Sequence, residues 1–423
     1  MHTLPDPFTS PPGGGAPPSI PGAAADPIAD AAPVGFTGLR GDFAWLVLIG
    51  GVLQLLTVGF YRFWLVTDIR RHLWRHTRLG ADAFEYTGTA RELLIGFLFA
   101  LAVLAPIYVL YFLAGLIAEE AEAFASLPLV LVLYVFGQYA AFRARRYRMT
   151  RTALRGLRFW MTGSGAAYAA RAALWDAATV LTLGLAYPWR AAALERYKMR
   201  HTCYGDLAGD FVGTGWRLFL RGAWIWLVGL LAVAGTAVGA GALHAADAFG
   251  TLPAEAEMGV AGVLGLALLL VLLSLYPLFR ATELRWRLEG VRFGPVALRC
   301  TLRRRTVLGC YAALLAATLL IAIAGTAVLG IAAVAMPDRF AGLAAGSTSG
   351  QLAAFVVIAV TYLAVLAAFG IAKRVFVDRG VWVAVVAATT VSGLAALDHV
   401  KAAGAAAGSL GEGLADALDV GAV

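Results

Sequence analysis

Two clusters of arginine and histidine at matching positions are the residues best placed to do chemistry. The first holds Arg71, Arg75 and His76. The second, 125 residues later, holds the corresponding residues Arg196, Arg200 and His201. Arginines four residues apart share one helix face, where they can hold an anion such as a lipid head group. Trp64 and Trp189 precede the clusters and suit a membrane interface. We expect these eight residues to contact anionic lipid; the competing explanation is that the arginines only fix topology.

Neither repeated histidine is expected to bind a metal. Metal sites usually need three or four ligands, and no Cys, Asp or Glu stands at helical spacing from both histidines. The three cysteines show no metal spacing, and their odd number argues against a disulfide framework. The loops carry no P-loop, HExxH, GxSxG or paired-carboxylate motif. We therefore expect no cofactor and no enzymatic activity.

Arg171 and Asp176 are opposite charges within one apolar stretch. An ionisable residue inside a membrane is by default a functional hypothesis. Five residues of helix turn the two side chains about 140° apart, so they do not pair directly. Their counterparts 125 residues earlier, Leu46 and Gly51, carry no charge. A position near the membrane interface is the competing explanation for this pair.

The elements that carry these residues are dictated by composition. The 423-residue chain is 60% hydrophobic and 14% charged, whereas soluble domains carry about 25% charged residues. So few charged residues could not coat a soluble fold of this size. The net charge of +8 does not indicate nucleic acid, because basic residues in membrane proteins first report orientation. The sequence predicts an all-α, polytopic membrane protein.

Six uncharged runs can cross a bilayer core, which needs roughly 20 apolar residues per helix. They are residues 93–117, 124–142, 222–243, 259–279, 306–336 and 352–372. Their connections alternate in charge: 143–158 carries seven arginines, whereas 244–258 carries acidic residues and no basic one. Because Lys and Arg concentrate in cytoplasmic loops, six spans place all basic loops and both termini on the cytoplasmic side of the membrane.

Two further apolar stretches, 43–61 and 166–189, do not fit as crossings. The second lies between two basic segments, so a crossing there would invert every later loop. We expect both to be re-entrant or in-plane helices. The alternative is that 43–61 crosses, which gives seven spans and an external amino terminus. Alternating residues at 84–89 also predict short hairpins in the cytoplasmic loops.

A shift of 125 residues superposes two parts of the chain without a gap, and both copies have the same orientation. This predicts a parallel internal repeat. We divide the chain into a disordered Pro/Gly-rich tail, two repeat units, and a divergent third segment with two spans and a cytoplasmic tail. The boundaries are 1–35, 36–160, 161–293 and 294–423.

Several short motifs resemble the YjgN-like inner-membrane proteins of bacteria, a family of unknown function. The motifs are Phe36-Thr37-Gly38, TVGFYRFW at 57–64, HTRLG at 76–80, FEYTGT at 84–89, TLGLAYPW at 182–189 and GEGLADALDVG at 411–421. They cover residues 36–300 and the tail, and 301–400 departs from the pattern. The resemblance implies a location and an architecture but no activity and no site.

Three classes of function remain after these exclusions. The first is a non-enzymatic membrane protein that organises anionic lipid or partners through a basic cytoplasmic face. The second is a channel or transporter for a small solute, built from the two repeats. The third, a lipid enzyme, lacks a recognisable nucleophile or metal site. The nearly wholly apolar spans favour the first class, and a protein partner or homo-oligomer is left open.

Overall fold

The structure, a computed structural model, describes residues 31–117, 122–248, 253–340 and 348–404. Residues 1–30 of the expected tail lie outside these ranges, and so does the whole family-like segment 411–421. The helices are α1 Arg40–Leu56, α2 Arg62–Arg75, α3 Ala90–Ile117, α4 Glu122–Thr150, α5 Gly165–Leu181, α6 Tyr187–Arg200, α7 Gly215–Ala248, α8 Ala254–Gly290, α9 Arg304–Ala335, α10 Thr348–Lys373 and α11 Arg379–Ala387. A π-helical turn, Arg374–Asp378, joins α10 to α11.

The expectation of an all-α fold is wrong, because ten short strands close into one antiparallel barrel. The strands are β1 Ala32–Phe36, β2 Thr77–Leu79, β3 Asp82–Tyr86, β4 Thr152–Leu154, β5 Leu157–Met161, β6 Thr202–Tyr204, β7 Leu207–Phe211, β8 Val291–Phe293, β9 Val296–Cys300 and β10 Thr389–Ser392. The strands β2 to β9 lie in the basic segments, where only isolated hairpins were expected, whereas β1 and β10 lie outside those segments. The hairpins also pair with one another and with β1 and β10. Because the barrel is closed, no strand edge is left exposed.

The barrel consists of five two-stranded units. Four are hairpins, β2–β3, β4–β5, β6–β7 and β8–β9, and the fifth pairs β1 with β10. Each hairpin turns over two residues that include a glycine at positive φ, a conformation that side chains with a Cβ resist. The turn glycines are Gly80, Gly156, Gly205 and Gly294.

Five pairs of helices leave the barrel and return to it. In each pair the first helix starts just after a strand, and the returning helix ends just before the next strand. We call α1, α3, α5, α7 and α9 the outgoing helices, and α2, α4, α6, α8 and α11 the returning helices. All the basic segments therefore meet at the barrel.

Two of the pairs are short. The helices of the α1–α2 and α5–α6 pairs have 17 and 14 residues, about 25 and 21 Å at 1.5 Å per residue. A bilayer core is about 30 Å thick. The stretches 43–61 and 166–189 each turn back between two helices rather than run through as one span.

The tips of the two short pairs are built alike. Thr57 donates its hydroxyl to the Leu53 carbonyl at 2.7 Å and accepts from the Tyr61 amide at 2.9 Å. Thr182 repeats both bonds at 2.8 and 3.0 Å. Gly59 and Gly184 are the middle residues of the two five-residue tips, and both have φ +90°. Each tip therefore ends one helix and starts the next within five residues.

Five of the six expected spans coincide with helices in the described ranges that are long and apolar enough to cross a membrane. They include Ala90–Leu113, Gly215–Ala245, Met258–Gly290, Arg304–Ala335 and Leu352–Ala387. The remaining expected span, 124–142, falls in α4, and its first residues are among those whose side chains are not described.

Candidate anion-binding site

An arginine pocket lies where α7, α8 and α9 meet near the barrel. The cavity has a volume of about 610 Å³. Three elements supply its cations: α7 gives one arginine, α8 gives one, and the β9–α9 junction gives three. The pocket arginines are Arg221, Arg285, Arg303, Arg304 and Arg305. Such a concentration of guanidinium groups suits a phosphate or another multivalent oxyanion.

One carboxylate holds two of these arginines in place. Glu289 accepts from Arg221 Nη1 at 2.7 Å and from Arg285 Nε at 2.8 Å. Arg304 is positioned by neutral groups, since its Nε donates to Thr282 Oγ1 at 3.0 Å and its Nη2 to the Arg221 carbonyl at 3.2 Å. Five arginines thus line the pocket, and the described contacts give two of them one shared carboxylate, so the pocket keeps a surplus of positive charge.

The start of α9 adds to the positive potential. The first turn of this helix contains Arg304 and Arg305 and no acidic residue. A helix amino terminus carries about half a positive charge, so cations are unfavourable there unless an anion is near. The Arg304 guanidinium lies 5.3 Å from the ring centroid of Trp224 on α7. A tryptophan beside a basic pocket is typical of the membrane–water interface.

Three of the other four outgoing helices also carry an arginine in the first turn, beside Asp42 in α1 and Glu92 in α3. Arg40, Arg91 and Arg217 are exposed residues in the first turns of α1, α3 and α7. Their placement works against the helix dipole, so it does not serve helix stability. An anionic surface around the barrel side would compensate these charges.

The repeated arginines of the sequence motif make structural bonds. Arg71 Nη2 donates to the Gly88 carbonyl at 2.9 Å, and Arg196 Nη2 donates to the Gly213 carbonyl at 3.2 Å. Each bond ties a returning helix to the segment after its hairpin. Arg75 is exposed, and Arg200 Nε contacts Asp210 Oδ1 at 3.2 Å on the surface. These residues do not form one common pocket.

The repeated histidines sit at the ends of α2 and α6. His76 Nδ1 lies 2.7 Å from the His72 carbonyl, and His201 Nδ1 lies 2.7 Å from the Tyr197 carbonyl. Their rings pack against His72 and Tyr197, at 4.3 Å between centroids in both cases. In the described part of the chain no group of three or more His, Cys, Asp or Glu could hold a metal.

The repeated tryptophans are far from the repeated arginines. Trp64 lies near the start of α2, and Arg75 ends the same helix, roughly 16 Å away along the helix axis. Trp189 packs instead against Trp216 and Phe219 of α7, with ring centroids 6.3 and 5.5 Å away. The structure therefore does not bring these tryptophans and arginines together around one head group.

Arg171 and Asp176 have separate partners. The exposed Arg171 guanidinium lies 4.5 Å from the centroid of the Tyr197 ring. Asp176 accepts a hydrogen bond from Arg190 Nη2 at 2.9 Å and another from the Tyr134 hydroxyl. Asp176 thus joins α5 to α6 within its own short pair and to α4 of the neighbouring pair.

A buried charge cluster was missed by sequence reasoning. The Glu195 side chain is 2% exposed and lies 3.3 Å from Arg145 and 3.7 Å from Arg287, and it also bonds Lys198. Burial by itself raises the pKa of Glu195. The attraction of the three neighbouring cations, Lys198, Arg145 and Arg287, outweighs this and holds the Glu195 pKa well below its usual range. The one available signal was that Glu195 shares a helix face with the apolar residues of α6.

The fold and the pocket define a membrane protein in which paired helices surround a small closed barrel, with an arginine-rich site at the barrel side. The model of a family described as "Bacterial protein of unknown function (DUF898)" matches residues 31–417, and the chain belongs to this family. It is also similar to "Inner membrane protein YjgN" of Salmonella typhimurium (strain LT2), at 24% identity over 124 residues. That segment covers 29% of this chain and 30% of the relative. No solved structure matches.

Proposed function

We propose that this protein is a non-enzymatic membrane protein that binds anionic phospholipid head groups in the arginine pocket and organises lipid around its basic side. The observation that carries the proposal is the pocket, with five arginines, one glutamate and a helix amino terminus around about 610 Å³. Basic pockets between membrane helices are a known way to bind lipids with several phosphates.

We further propose that the barrel side faces the cytoplasm of a bacterial inner membrane. The basic segments all join the barrel, and the charge rule for membrane proteins puts such segments in the cytoplasm. The Salmonella relative is named as an inner membrane protein, which supports the same location for this chain. The pocket then lies at the cytoplasmic leaflet, where anionic lipids give the surface a negative potential.

A path for a small solute has less support. Such a path along the barrel axis would have to pass a buried apolar layer that includes Leu79, Leu154, Tyr204, Val296 and Val391. An apolar constriction opposes the passage of water and ions. We therefore prefer lipid binding to conduction.

Native mass spectrometry of the purified protein tests lipid binding. The protein is incubated with equal amounts of phosphatidylglycerol and phosphatidylcholine, and the lipids retained after removal of the micelle are counted. We expect preferential retention of phosphatidylglycerol, and a loss of at least about tenfold in the combined variant Arg285→Gln, Arg304→Gln and Arg305→Gln. An excess of inorganic phosphate should not displace the lipid, since the apolar chains also contribute to binding.

The matched control removes three exposed arginines from the barrel strands, in the combined variant Arg78→Gln, Arg158→Gln and Arg299→Gln. It changes the net charge by the same amount and should keep its phosphatidylglycerol. Equal loss in both variants would show that overall charge, rather than the pocket, attracts the lipid, and would contradict the proposal.

A further inference from the structure

The barrel encloses a cavity of about 380 Å³. Eight-stranded barrels are just wide enough for side chains to fill them, or to hold one small ligand, and barrel diameter grows with strand number. Ten strands therefore leave interior space even with large side chains. Apolar residues from all five strand units line it, among them Leu79, Leu154, Phe293, Val296 and Val391.

The polar groups of the cavity wall are occupied by the protein itself. Four strands begin with a threonine, and each hydroxyl donates to the carbonyl four residues earlier, at 2.7–2.9 Å. The threonines are Thr77, Thr152, Thr202 and Thr389. The indole N–H groups of Trp74 and Trp382 donate to two of these hydroxyls at 3.0 Å. A buried water needs two to four polar partners, so this wall suits an apolar occupant.

One cation lines the cavity at the end that faces the returning helices. Arg145 lies on α4, two turns before the strand that begins at Thr152. Its Nη1 contacts Glu195 and its Nη2 donates to Met199 Sδ at 3.4 Å, whereas its Nε is buried and has no hydrogen-bond partner among the described residues. Around it, Glu195 and Glu283 face four cations, Arg145, Lys198, Arg280 and Arg287. Positive charge therefore exceeds negative charge at this end.

The opposite end of the cavity is covered by the 3₁₀ helix Leu394–His399. Leu397 is buried among the barrel residues. Asp398 accepts from Arg155 Nη1 at 2.7 Å, and Asp206 holds the Lys401 backbone from a second hairpin turn at 3.0 Å. We call Leu394–His399 the plug helix, because it closes the mouth at the hairpin turns with an apolar side chain.

From these observations we propose that the barrel cavity is a binding site for one single-chain amphipathic anion, such as a long-chain carboxylate. The apolar chain lies in the barrel below the plug helix, and the anionic head contacts Arg145. The site is separate from the arginine pocket, so this inference does not depend on the proposed function.

The test counts ligands on the full-length protein by native mass spectrometry, with dodecanoate and its uncharged analogue dodecan-1-ol as probes. We expect one dodecanoate per chain. Arg145→Met should weaken dodecanoate binding about tenfold or more and leave dodecan-1-ol binding nearly unchanged, since only the carboxylate uses the guanidinium.

Leu154→Trp tests the location, because the larger ring fills the cavity. It should abolish dodecanoate binding, whereas Leu174→Trp, the same substitution at an exposed position of α5, should not. If Leu154→Trp lowers the melting temperature too far for measurement, Leu397→Trp is used instead, because it fills the cavity with a ring from the plug helix. Absence of dodecanoate from the wild-type protein, equal binding of both probes, or full binding by the filled variant would overturn the proposal.

Discussion

The Nη1 atom of Arg145 on α4 lies 3.3 Å from Oε1 of Glu195 on α6. This contact joins the long α3–α4 pair to the short α5–α6 pair, and Arg287 of α8 reaches the same carboxylate at 3.7 Å. Three returning helices are thus held together by one buried carboxylate, directly beside the barrel. Because the surrounding cations outnumber the carboxylates, removal of the negative charge leaves them uncompensated.

Glu195→Gln should destabilise the protein by about 3–5 kcal/mol, the usual cost of breaking a buried ion pair from one side. The melting temperature in detergent is the measurement. Glu85→Gln on the barrel surface is the control and should change stability by less than about 0.5 kcal/mol. A Glu195→Gln variant as stable as this control would contradict the described contacts.

Lys198 should make stability depend on alkaline pH. Burial and the repulsion of Arg145 and Arg287 lower the pKa of Lys198 from 10.5 to about 8, although the attraction of Glu195 raises it. Between these two values the unfolded chain binds more protons than the folded chain, so the free energy of unfolding rises with pH. We expect a gain on the order of 1–3 kcal/mol across that window.

The measurement compares melting curves at several pH values for the wild type, Lys198→Met and the control Lys401→Met. Lys401 is exposed, so its variant should keep the pH dependence of the wild type. Lys198→Met should flatten it. An unchanged slope in Lys198→Met would show that another group is responsible.

The two hairpin tips should respond equally to loss of glycine. Gly59 and Gly184 both have φ +90°, and an added Cβ would meet nothing within 4 Å at either position. Gly59→Ala and Gly184→Ala should therefore each cost about 1–2 kcal/mol from backbone strain alone. Melting temperatures of the two variants and of Gly235→Ala provide the comparison.

Gly235 is the matched control because it is helical and also has open space around its Cβ position. Alanine there should stabilise α7 slightly, by up to about 1 kcal/mol. If the tip variants behaved like this control, the left-handed turns described at the two tips would be wrong.

Local patterns predicted much of the helical part of the fold. Long apolar runs gave the candidate spans, and the basic segments on both sides of 166–189 predicted that this stretch is not a simple crossing. The barrel could not be predicted, because its strands have three to five residues and pair across the whole chain. The β1 strand pairs with β2 and with β10, more than 300 residues away, and no local pattern encodes that register.

The candidate site shows the same limit. Residues 280–305 carry eight arginines, and four of the five pocket arginines come from this segment. The assembly of the pocket depends on α7 bringing Arg221 and Trp224 beside α9, a contact between helices that sequence spacing does not reveal. The repeat drew attention instead to pairs such as Arg71 and Arg196, and each of these two arginines bonds a backbone carbonyl outside the pocket.

Quenching of Trp224 fluorescence by brominated lipid tests the central claim most directly. The chain has 11 tryptophans, so the signal is the difference between the wild type and Trp224→Phe. With lipid binding in the arginine pocket, brominated phosphatidylglycerol quenches Trp224 more strongly than brominated phosphatidylcholine, and Arg304→Gln with Arg305→Gln removes the difference. Equal quenching of Trp224 by the two lipids in the wild-type protein would contradict lipid binding in the arginine pocket.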